Sequence, residues 1–224
     1  MEKIINIAID GPSGAGKSSL AKKVAKKLGY VYVDTGAMYR TVALYIIRKG
    51  IVPKDAESVI KVLCEISLLI DYVDGQQHMF LNGEDVTSLI RTPEISMGAS
   101  DVSAIPEVRA FLLETQRRLA REKSVVMDGR DIATVILPDA QVKIFLTADD
   151  RRRAHRRYLE LREKTPDITF ESVYDDMVNR DKNDSTRKVA PAIKAPDAVL
   201  LDNTDLDEDE TLEKALSIIK DIIG

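Results

Sequence analysis

Residues Gly11 to Ser18 read GPSGAGKS and match the pattern G-x-x-x-x-G-K-[ST] at each fixed position. Glycines in such a loop let successive backbone N–H groups turn toward one anion, and the helix that follows points its positive end at the same place. Lys17 would bring a positive charge to the β- and γ-phosphates. The alternative is a glycine-rich turn with an exposed lysine, which the complete match disfavours. The sequence therefore predicts a nucleoside-triphosphate site formed by Gly11, Pro12, Ser13, Gly14, Ala15, Gly16, Lys17, Ser18 and Ser19.

Arginines stand close to the expected ends of predicted strands. Arg40 follows the second strand in DTGAMYR, and Arg130 and Asp131 follow the third in DGRD. The carboxyl ends of parallel strands are where open α/β sheets bind ligands. A single arginine is more often a solvated surface residue, but several of them indicate a second anion pocket. The further candidates for this pocket are Arg109, Arg180, Asp184 and Arg187.

Such a phosphate loop also occurs in GTPase switches and in ATP-driven motors. A switch of the Ras type needs an Asn-Lys-x-Asp motif to read guanine, and no asparagine in this sequence precedes a lysine. A kinase of a small anion would instead need arginines around a second pocket, and candidates for these are present. We therefore favour a kinase and keep two alternatives, a nucleotide-operated switch and an RNA-binding protein that uses ATP.

The composition is that of an ordinary globular protein. Of 224 residues, 44% are hydrophobic and 31% are charged, and no apolar run reaches the roughly 18 residues of a membrane span. The apolar run before Asp10 is too short for a secretory signal, so we expect a cytoplasmic protein without membrane contact. One cysteine and two histidines exclude an internal disulfide and a zinc cluster, and the apolar context of Cys64 predicts that it is buried. The net charge of −4 disfavours general affinity for nucleic acid.

Five short apolar runs alternate with helical patterns, which predicts an α/β fold with a parallel sheet covered on both faces. The predicted strands are Ile4–Ile9, Tyr30–Val33, Ser124–Met127, Val142–Leu146 and Ala198–Leu201. The predicted helices include Ser18–Leu28, Pro106–Lys123 and a final helix preceded by acids that favour its N-terminus.

Two regions depart from this alternation. Residues 66–87 predict short antiparallel strands joined by Asp74-Gly75 and Asn82-Gly83 turns, and therefore a small inserted subdomain. Residues 151–188 are rich in Arg, Asp and Lys and are predicted to be helical, with few buried side chains.

The chain resembles the bacterial cytidylate kinase family. The resemblance rests on IDGPSGAGKSS, DTGAMYR, MDGRDIATVILPDAQVKIFLTA, the RRAHRR segment and the PAIKAPDAVLLDNT tail, and it extends from Ile7 to the last helix. It implies a P-loop three-layer fold with a five-stranded parallel sheet, an inserted antiparallel β subdomain that binds the monophosphate, and a helical lid. The expected division is a core of residues 1–35, 104–150 and 189–224, a monophosphate-binding region of residues 36–103, and a lid region of residues 151–188.

The resemblance implies transfer of the ATP γ-phosphoryl group to CMP, and also to dCMP, as a step of pyrimidine nucleotide metabolism. The nucleophile would be a phosphate oxygen that is already ionised at neutral pH, so no catalytic base is needed. Positioning and charge neutralisation would come from Lys17, Mg²⁺ and the arginines. Ser18 would ligate Mg²⁺. Asp128 would hold a magnesium-bound water, although a carboxylate that caps the following turn is an equal alternative.

The same resemblance assigns the acceptor site. Arg40, Arg130 and Arg187 would hold the CMP phosphate, because guanidinium groups match phosphate oxygens in pairs. Arg180 and Asp184 would face the ribose.

Cytosine would be read by Ser100, Arg109 and Asp131. A carboxylate accepts from the N4 amino group, whereas uracil presents an acceptor there. Thr35 stands where the family often has serine, and its hydroxyl is retained. Kinases of UMP, AMP or shikimate remain the nearer competitors, and only this assignment of the base-reading residues argues against them.

The run Arg151–Arg157 has three readings. Arg153, Arg156 and Arg157 share a helical face that would close over ATP as a lid and exclude water. The alternatives are a solvated helix with an ion pair between Arg156 and Glu160, and an RNA-binding surface, which the absence of interleaved aromatic residues disfavours. With the lid reading, the residues acting on the transferred group are Lys17, Arg130, Arg187, Arg153 and Arg157. We expect a monomer, because no obvious apolar stripe demands a partner.

Overall fold

The computed structural model describes residues 3–73, 75–163 and 165–224, and within them the chain forms a five-stranded parallel sheet and a three-stranded antiparallel sheet. The strands of the larger sheet are β1 (Asn6–Asp10), β2 (Val31–Asp34), β6 (Val125–Gly129), β7 (Val142–Thr147) and β8 (Val199–Asp202). Their order in the sheet is β2-β6-β1-β7-β8. The predicted α/β class and the five predicted strands are confirmed, with boundaries that differ by one or two residues.

Both faces of the parallel sheet are covered by helices, which explains why its strands are apolar runs without polar alternation. Ile7 and Ile9 pack into one buried cluster with Val24 and Ile219, whereas Ala8 faces the opposite cluster with Met127. The helices on the first face are α1 (Lys17–Leu28) and α8 (Glu208–Ile223). The second face is covered by α5 (Pro106–Glu122) and by a π-helical turn (Ile132–Ile136).

The helix ends follow local sequence signals. Asp34 caps α2 (Thr35–Arg48) by accepting a hydrogen bond of 2.8 Å from the Ala37 N–H. Asp207 and Glu210 form a capping box at the start of α8. The remaining helices are α3 (Ala56–Val62), α4 (Pro93–Ser103), α6 (Asp150–Arg162) and α7 (Phe170–Thr186).

The inserted sheet consists of β3 (Leu68–Val73), β4 (Gln76–Leu81) and β5 (Glu84–Asp85). Asn82 (φ 50°) and Gly83 (φ 88°) form the turn between β4 and β5, as the Asn-Gly pair predicts. The predicted turn between β3 and β4 includes Asp74, which lies outside the described residues. The sheet shares a buried cluster with α2 and α4, so the insertion has a core of its own.

One expectation is corrected. Cys64 is exposed, because it lies in a short 3₁₀ turn in which the neighbouring Leu63 and Ile66 face the core instead. The region of residues 151–188 is helical as predicted, and the buried side chains among its described residues are few, namely Arg153, Ala154, Val173, Met177 and Asp184. Within the described part of the chain, the helices lack the length and apolar character that a membrane crossing requires.

Candidate active site

The phosphate loop connects β1 to α1 through residues 11–16. Gly11 and Gly14 have φ values of 149° and 70°, which an L side chain rarely adopts. A Cβ on Gly11 would also collide with the carbonyl oxygen of Leu146 on the neighbouring strand. Glycine is therefore required at Gly11 both for the backbone conformation and for the close approach of β7. The loop ends where α1 begins, at Lys17.

Lys17 is buried within this loop. Its Nζ donates to the carbonyl oxygen of Pro12 at 2.6 Å, and the side chain is only 6% exposed. Burial lowers the pKa of Lys17 well below its usual value, and the charge of Arg130 adds to this effect. The carboxylates of Asp128 and Asp181 act in the opposite direction. A buried cation held against its own loop is a preorganised partner for an anion, because few water molecules must be displaced.

Asp128 lies at the carboxyl end of β6 and faces the phosphate loop. One carboxylate oxygen accepts from the Ser18 hydroxyl at 2.8 Å, and the other accepts from the Tyr32 hydroxyl at 2.9 Å. Burial and the nearby charge of Asp34 raise the pKa of Asp128 to about 6. The Thr35 hydroxyl donates to the backbone oxygen of Asp128 at 2.8 Å.

The oxygen atoms of Ser18 and Asp128 fit a magnesium ion that arrives with a nucleotide. Hydroxyl and carboxylate oxygens are the hard ligands that Mg²⁺ prefers, and Mg²⁺ commonly keeps several waters and takes other ligands from substrate phosphates. Among the described residues, no three His, Cys, Asp or Glu side chains group as a metal cluster of their own. The donor set is therefore of the type that shares an ion with a bound phosphate.

Asp131 is the first of two buried carboxylates that form ion pairs with predicted arginines. Arg109 donates to Asp131, and Arg187 lies 3.5 Å from its other oxygen. Arg109 also lies over the ring of Tyr39, with 5.6 Å between the guanidinium carbon and the ring centre. Burial raises the pKa of Asp131, although both arginines oppose this.

Asp184 is the second carboxylate. It accepts from Arg130 Nε at 3.1 Å and from the Ser100 hydroxyl at 3.1 Å, and Arg180 Nε lies 3.9 Å away. Burial acts to raise the pKa of Asp184, but Arg130 and Arg180 outweigh it and lower the pKa. Burial, together with the charge of Arg130, lowers the pKa of Arg180 to about 10. Ser100, Arg130, Arg180 and Asp184 therefore form one connected network.

Arg40 is held by a different carboxylate. Its Nη2 donates to Asp34 Oδ2 at 2.8 Å, and Arg91 lies 3.5 Å from the same oxygen. Within the described residues, the buried Arg40 Nε has no hydrogen-bond partner. This unpaired donor indicates that an acceptor, such as a phosphate oxygen, belongs beside it.

Asp10 connects the phosphate loop to the loop that carries Arg130. Asp10 is buried at the end of β1, directly before Gly11, and its two oxygens accept from the N–H groups of Ile132 and Ala133 at 2.8 Å each. Burial raises the pKa of Asp10 to about 6 against these hydrogen bonds. One carboxylate therefore fixes the distance between the two halves of the site.

Arg153 joins the helices of residues 151–188 to the phosphate loop. Its Nη1 lies 2.5 Å from both the backbone oxygen of Ser13 and Asp181 Oδ2, and Asp181 Oδ1 accepts from the Ser13 N–H at 2.8 Å. Asp150 accepts from the other end of the guanidinium at 2.6 Å. Arg153 is only 3% exposed.

Arg156 and Arg157 behave differently from Arg153. Arg156 donates to the backbone oxygen of Asn203 at 2.8 Å, whereas Arg157 donates to Glu160 at 2.8 Å. The ion pair considered from the sequence, between Arg156 and Glu160, is therefore replaced by one between Arg157 and Glu160. Among the residues that the structure describes, Arg157 makes no hydrogen bond or ion pair to the phosphate loop.

Apart from Arg157, the structure thus brings the predicted residues into two adjoining groups at the carboxyl edge of the parallel sheet. Asp10, Asp34 and Asp181 complete these groups. These three residues and Tyr32 were not among the site residues predicted from the sequence. Asp10 and Asp34 each carry a signal in the sequence, because a charged residue ends an apolar strand directly before a candidate motif. Asp181 carries no such signal, because its partners are distant in the sequence.

Comparison with known proteins supports one family. The family described as cytidylate kinase matches residues 7–221. A cytidylate kinase from Caldicellulosiruptor bescii is 49% identical over 221 residues, which cover 99% of this chain and 98% of that protein. A second cytidylate kinase, from Caldicellulosiruptor saccharolyticus, is 50% identical over 222 residues, which cover 99% of this chain and 98% of that protein.

A solved structure of an uncharacterized protein from Eubacterium ventriosum shares the fold, with a TM-score of 0.52 and 14% identity over 97% of this chain and 98% of that chain. The present chain belongs to the cytidylate kinase family.

Proposed function

We propose that this member of the cytidylate kinase family transfers the γ-phosphoryl group of ATP to CMP and produces CDP and ADP. An oxygen of the CMP phosphate forms the new bond to the γ-phosphorus, and the bond to the oxygen bridging the β- and γ-phosphorus breaks. The observation that carries the proposal is the link through Asp10 between a phosphate loop and an arginine network at one sheet edge. A protein that only binds ATP would need the phosphate loop but not the arginine network.

The phosphate loop is proposed to bind ATP. Its backbone N–H groups and the N-terminus of α1 would face the phosphates, and Lys17 would neutralise charge on the β- and γ-phosphates. Mg²⁺ would be held by Ser18 and, through water, by Asp128, and it would supply charge neutralisation to the phosphates. The buried position of Lys17 supports its role, because electrostatic stabilisation is stronger where water is excluded.

The CMP phosphate is proposed to bind Arg40, Arg130 and Arg187. These side chains already have carboxylate partners, so little conformational entropy is lost when they bind a phosphate. The attacking oxygen is ionised at neutral pH, which is why a general base is unnecessary. The positive charge of these arginines then reduces the repulsion between the two anionic phosphates.

The ribose is proposed to face Arg180 and Asp184. Asp184 would accept a hydrogen bond from a sugar hydroxyl, which favours CMP over dCMP without excluding dCMP. The pKa of Asp184 is lowered by its arginines, so it is an ionised acceptor at neutral pH.

The cytosine base is proposed to be read by Ser100, Arg109 and Asp131. Asp131 would accept from the N4 amino group while Arg109 donates to the ring acceptors. The two residues are paired and almost fully buried, which fixes their relative orientation. A uracil O4 would place an acceptor against the Asp131 carboxylate.

Residues 151–188 are proposed to act as a lid that closes when both substrates are bound. Arg153 is already fixed beside Ser13, whereas within the described residues Arg157 is held by the exposed Glu160 alone, which would let it turn toward the transferred group. The test is hydrogen exchange of the amides of residues 151–188 with ATP alone, CMP alone and both. Greater protection with both substrates is expected, and unchanged exchange would contradict a lid.

The function is tested by measuring ADP release from MgATP with CMP, dCMP, UMP or AMP as the acceptor. We expect CMP to be the best acceptor, with dCMP next and with UMP and AMP much slower. ATP turnover that ignores the acceptor would overturn the proposal and favour a nucleotide-operated switch.

A further inference from the structure

We infer that Gln77, on the inserted sheet, is a positioning residue for the acceptor phosphate and acts through Asp34 and Arg40; this inference rests on the proposed function. The Gln77 side-chain amide pairs with the backbone of Asp34 in both directions. Its Oε1 accepts from the Asp34 N–H at 2.8 Å, and its Nε2 lies 3.2 Å from the Asp34 carbonyl oxygen. These two bonds reproduce the contacts that a neighbouring strand would make.

The position of this contact explains its importance. β2 is an edge strand of the parallel sheet and pairs only with β6, so the backbone groups of Tyr32 and Asp34 face away from the sheet. Tyr72 on β3 donates its hydroxyl to the Tyr32 carbonyl oxygen at 3.1 Å. Two side chains of the insertion therefore satisfy an edge that would otherwise require another strand or water.

Asp34 links this edge of the sheet to Arg40 in the proposed acceptor site. Its carboxylate caps α2 through the Ala37 N–H and also binds Arg40 at 2.8 Å. Asp34 is 4% exposed, so its side chain has little freedom once its backbone is fixed. Burial opposes its ionisation, but Arg40 and Arg91 outweigh this and lower the pKa of Asp34. The carboxylate is thus a charged anchor that aims the Arg40 guanidinium.

The inserted sheet can influence the proposed site of the acceptor phosphate without contacting the phosphate itself. The sheet packs on α2 and α4 through its own apolar cluster, and Gln77 links that cluster to β2. Displacement of the hairpin would shift the Asp34 backbone, the start of α2 and Arg40 together. The neighbouring Gln76 offers a matched control, because it lies on the same strand, is exposed and makes no side-chain hydrogen bond within the described residues.

The experiment compares Gln77→Met with Gln76→Met, using the full chain. Methionine keeps the length of the side chain and removes both hydrogen bonds. We expect Gln77→Met to raise the KM for CMP by about tenfold and to leave the KM for ATP within about twofold, whereas Gln76→Met changes neither. The dissociation constant of CMP measured by calorimetry without ATP should rise by the same factor. An unchanged KM for CMP in Gln77→Met would overturn the inference.

A double-mutant cycle separates positioning from general destabilisation. If Gln77 acts through Arg40, Gln77→Met should raise the KM for CMP by less than about twofold in an Arg40→Met background. If the increases in the KM for CMP caused by the two single substitutions multiply in the double variant, the route through Arg40 is contradicted. If Gln77→Met fails to fold, Gln77→Glu replaces it, because Glu keeps the acceptor for the Asp34 N–H, loses the donor and adds a negative charge beside the Asp34 carbonyl oxygen, so it should raise the KM for CMP as well. A wild-type KM for CMP in Gln77→Glu would then refute the inference. Absence of CMP turnover in the wild type would refute the proposed function instead.

Discussion

The two halves of the candidate site are built in different ways. The phosphate half uses one uninterrupted stretch, residues 11–19, which consists of the phosphate loop and the start of α1, and its proposed chemistry depends mainly on backbone N–H groups and Lys17. The acceptor half combines side chains from α2, α4, α5, the loop after β6, and α7. The first half is therefore a local conformational solution, whereas the second exists only when distant segments have folded together.

The two halves also differ in their internal charge balance. Lys17 is held by a carbonyl oxygen of its own loop, whereas Arg109, Arg130 and Arg187 are partnered by buried carboxylates. Burying paired ions contributes little net stability, but removing one partner leaves an uncompensated charge and typically costs about 3–5 kcal/mol. Substitutions in the acceptor half should therefore change stability together with activity. Substitutions in the phosphate loop should mainly change activity.

The largest effect is expected for Lys17→Met. Loss of the only lysine of the phosphate loop should lower kcat/KM by about 10³-fold, because the charge that develops on the transferred group is no longer neutralised there. The melting temperature should not fall, since a buried cation with a lowered pKa is replaced by an apolar side chain of similar length. Steady-state kinetics and thermal unfolding give both quantities. The exposed Lys26→Met on the same helix is the control, and equal losses in both variants would contradict the assignment.

Asp10 offers a test of how the two halves are joined. Its pKa of about 6 in the folded state lies above its ordinary value of 3.8, so its contribution to stability is full below pH 4 and is lost as the pH rises through 6. This change corresponds to about 3 kcal/mol. The stability of the wild type relative to Asp10→Asn should therefore fall by that amount between pH 3 and pH 7, so that the variant becomes the more stable protein at pH 7.

Asn also has only one carbonyl oxygen for the two N–H groups that Asp10 binds. The variant should therefore be about 1 kcal/mol less stable at low pH. Urea unfolding at several pH values measures both effects. Parallel stability curves for the two proteins would show that Asp10 is not buried as an acid whose pKa is raised.

Asp131→Asn tests the base-reading part of the acceptor half. The amide can present a donor toward uracil O4, so the ratio of kcat/KM for CMP over UMP should fall by about tenfold. Asn also leaves Arg109 without a charged partner, so a loss of stability should accompany the loss of selectivity. Competition between CMP and UMP measures the ratio directly. Asp139→Asn, at an exposed position, is the matched control, and an unchanged ratio in Asp131→Asn would remove Asp131 from the base site.

The contrast between the two halves also explains which features the sequence could predict. The order and type of the core elements, the phosphate loop and the insertion follow from apolar runs, glycine spacing and an Asn-Gly turn, all of which are local signals. The candidate residues could be named individually, but the grouping of Arg109, Arg130 and Ser100 on Asp131 and Asp184 depends on contacts between residues 22 to 84 positions apart. Gln77 was missed because its partners are backbone groups of a distant segment, which leave no trace in side-chain patterns. Asp10 was marked only by its place at the end of an apolar strand, and its backbone partners 122 and 123 positions away were not foreseeable. Cys64 was misassigned because an apolar neighbourhood in the sequence does not fix which side of a 3₁₀ turn faces the core.

The smallest effect is expected at Glu160, the partner of Arg157. The pair is exposed, with side-chain exposures of 37% and 64%, and exposed pairs contribute about 0–1 kcal/mol. Glu160→Gln should therefore leave the melting temperature nearly unchanged and should alter kcat by less than about twofold. If Arg157 turns toward the transferred group during closure, its release should raise kcat slightly, whereas Arg157→Gln should lower it. A fall of kcat in both variants, with no change in the exposed Glu163→Gln, would show instead that the ion pair itself holds α6 in place. Arg157 would then belong to the scaffold of the lid, and Arg153 would be left as the one arginine of α6 placed against the phosphate loop within the described residues.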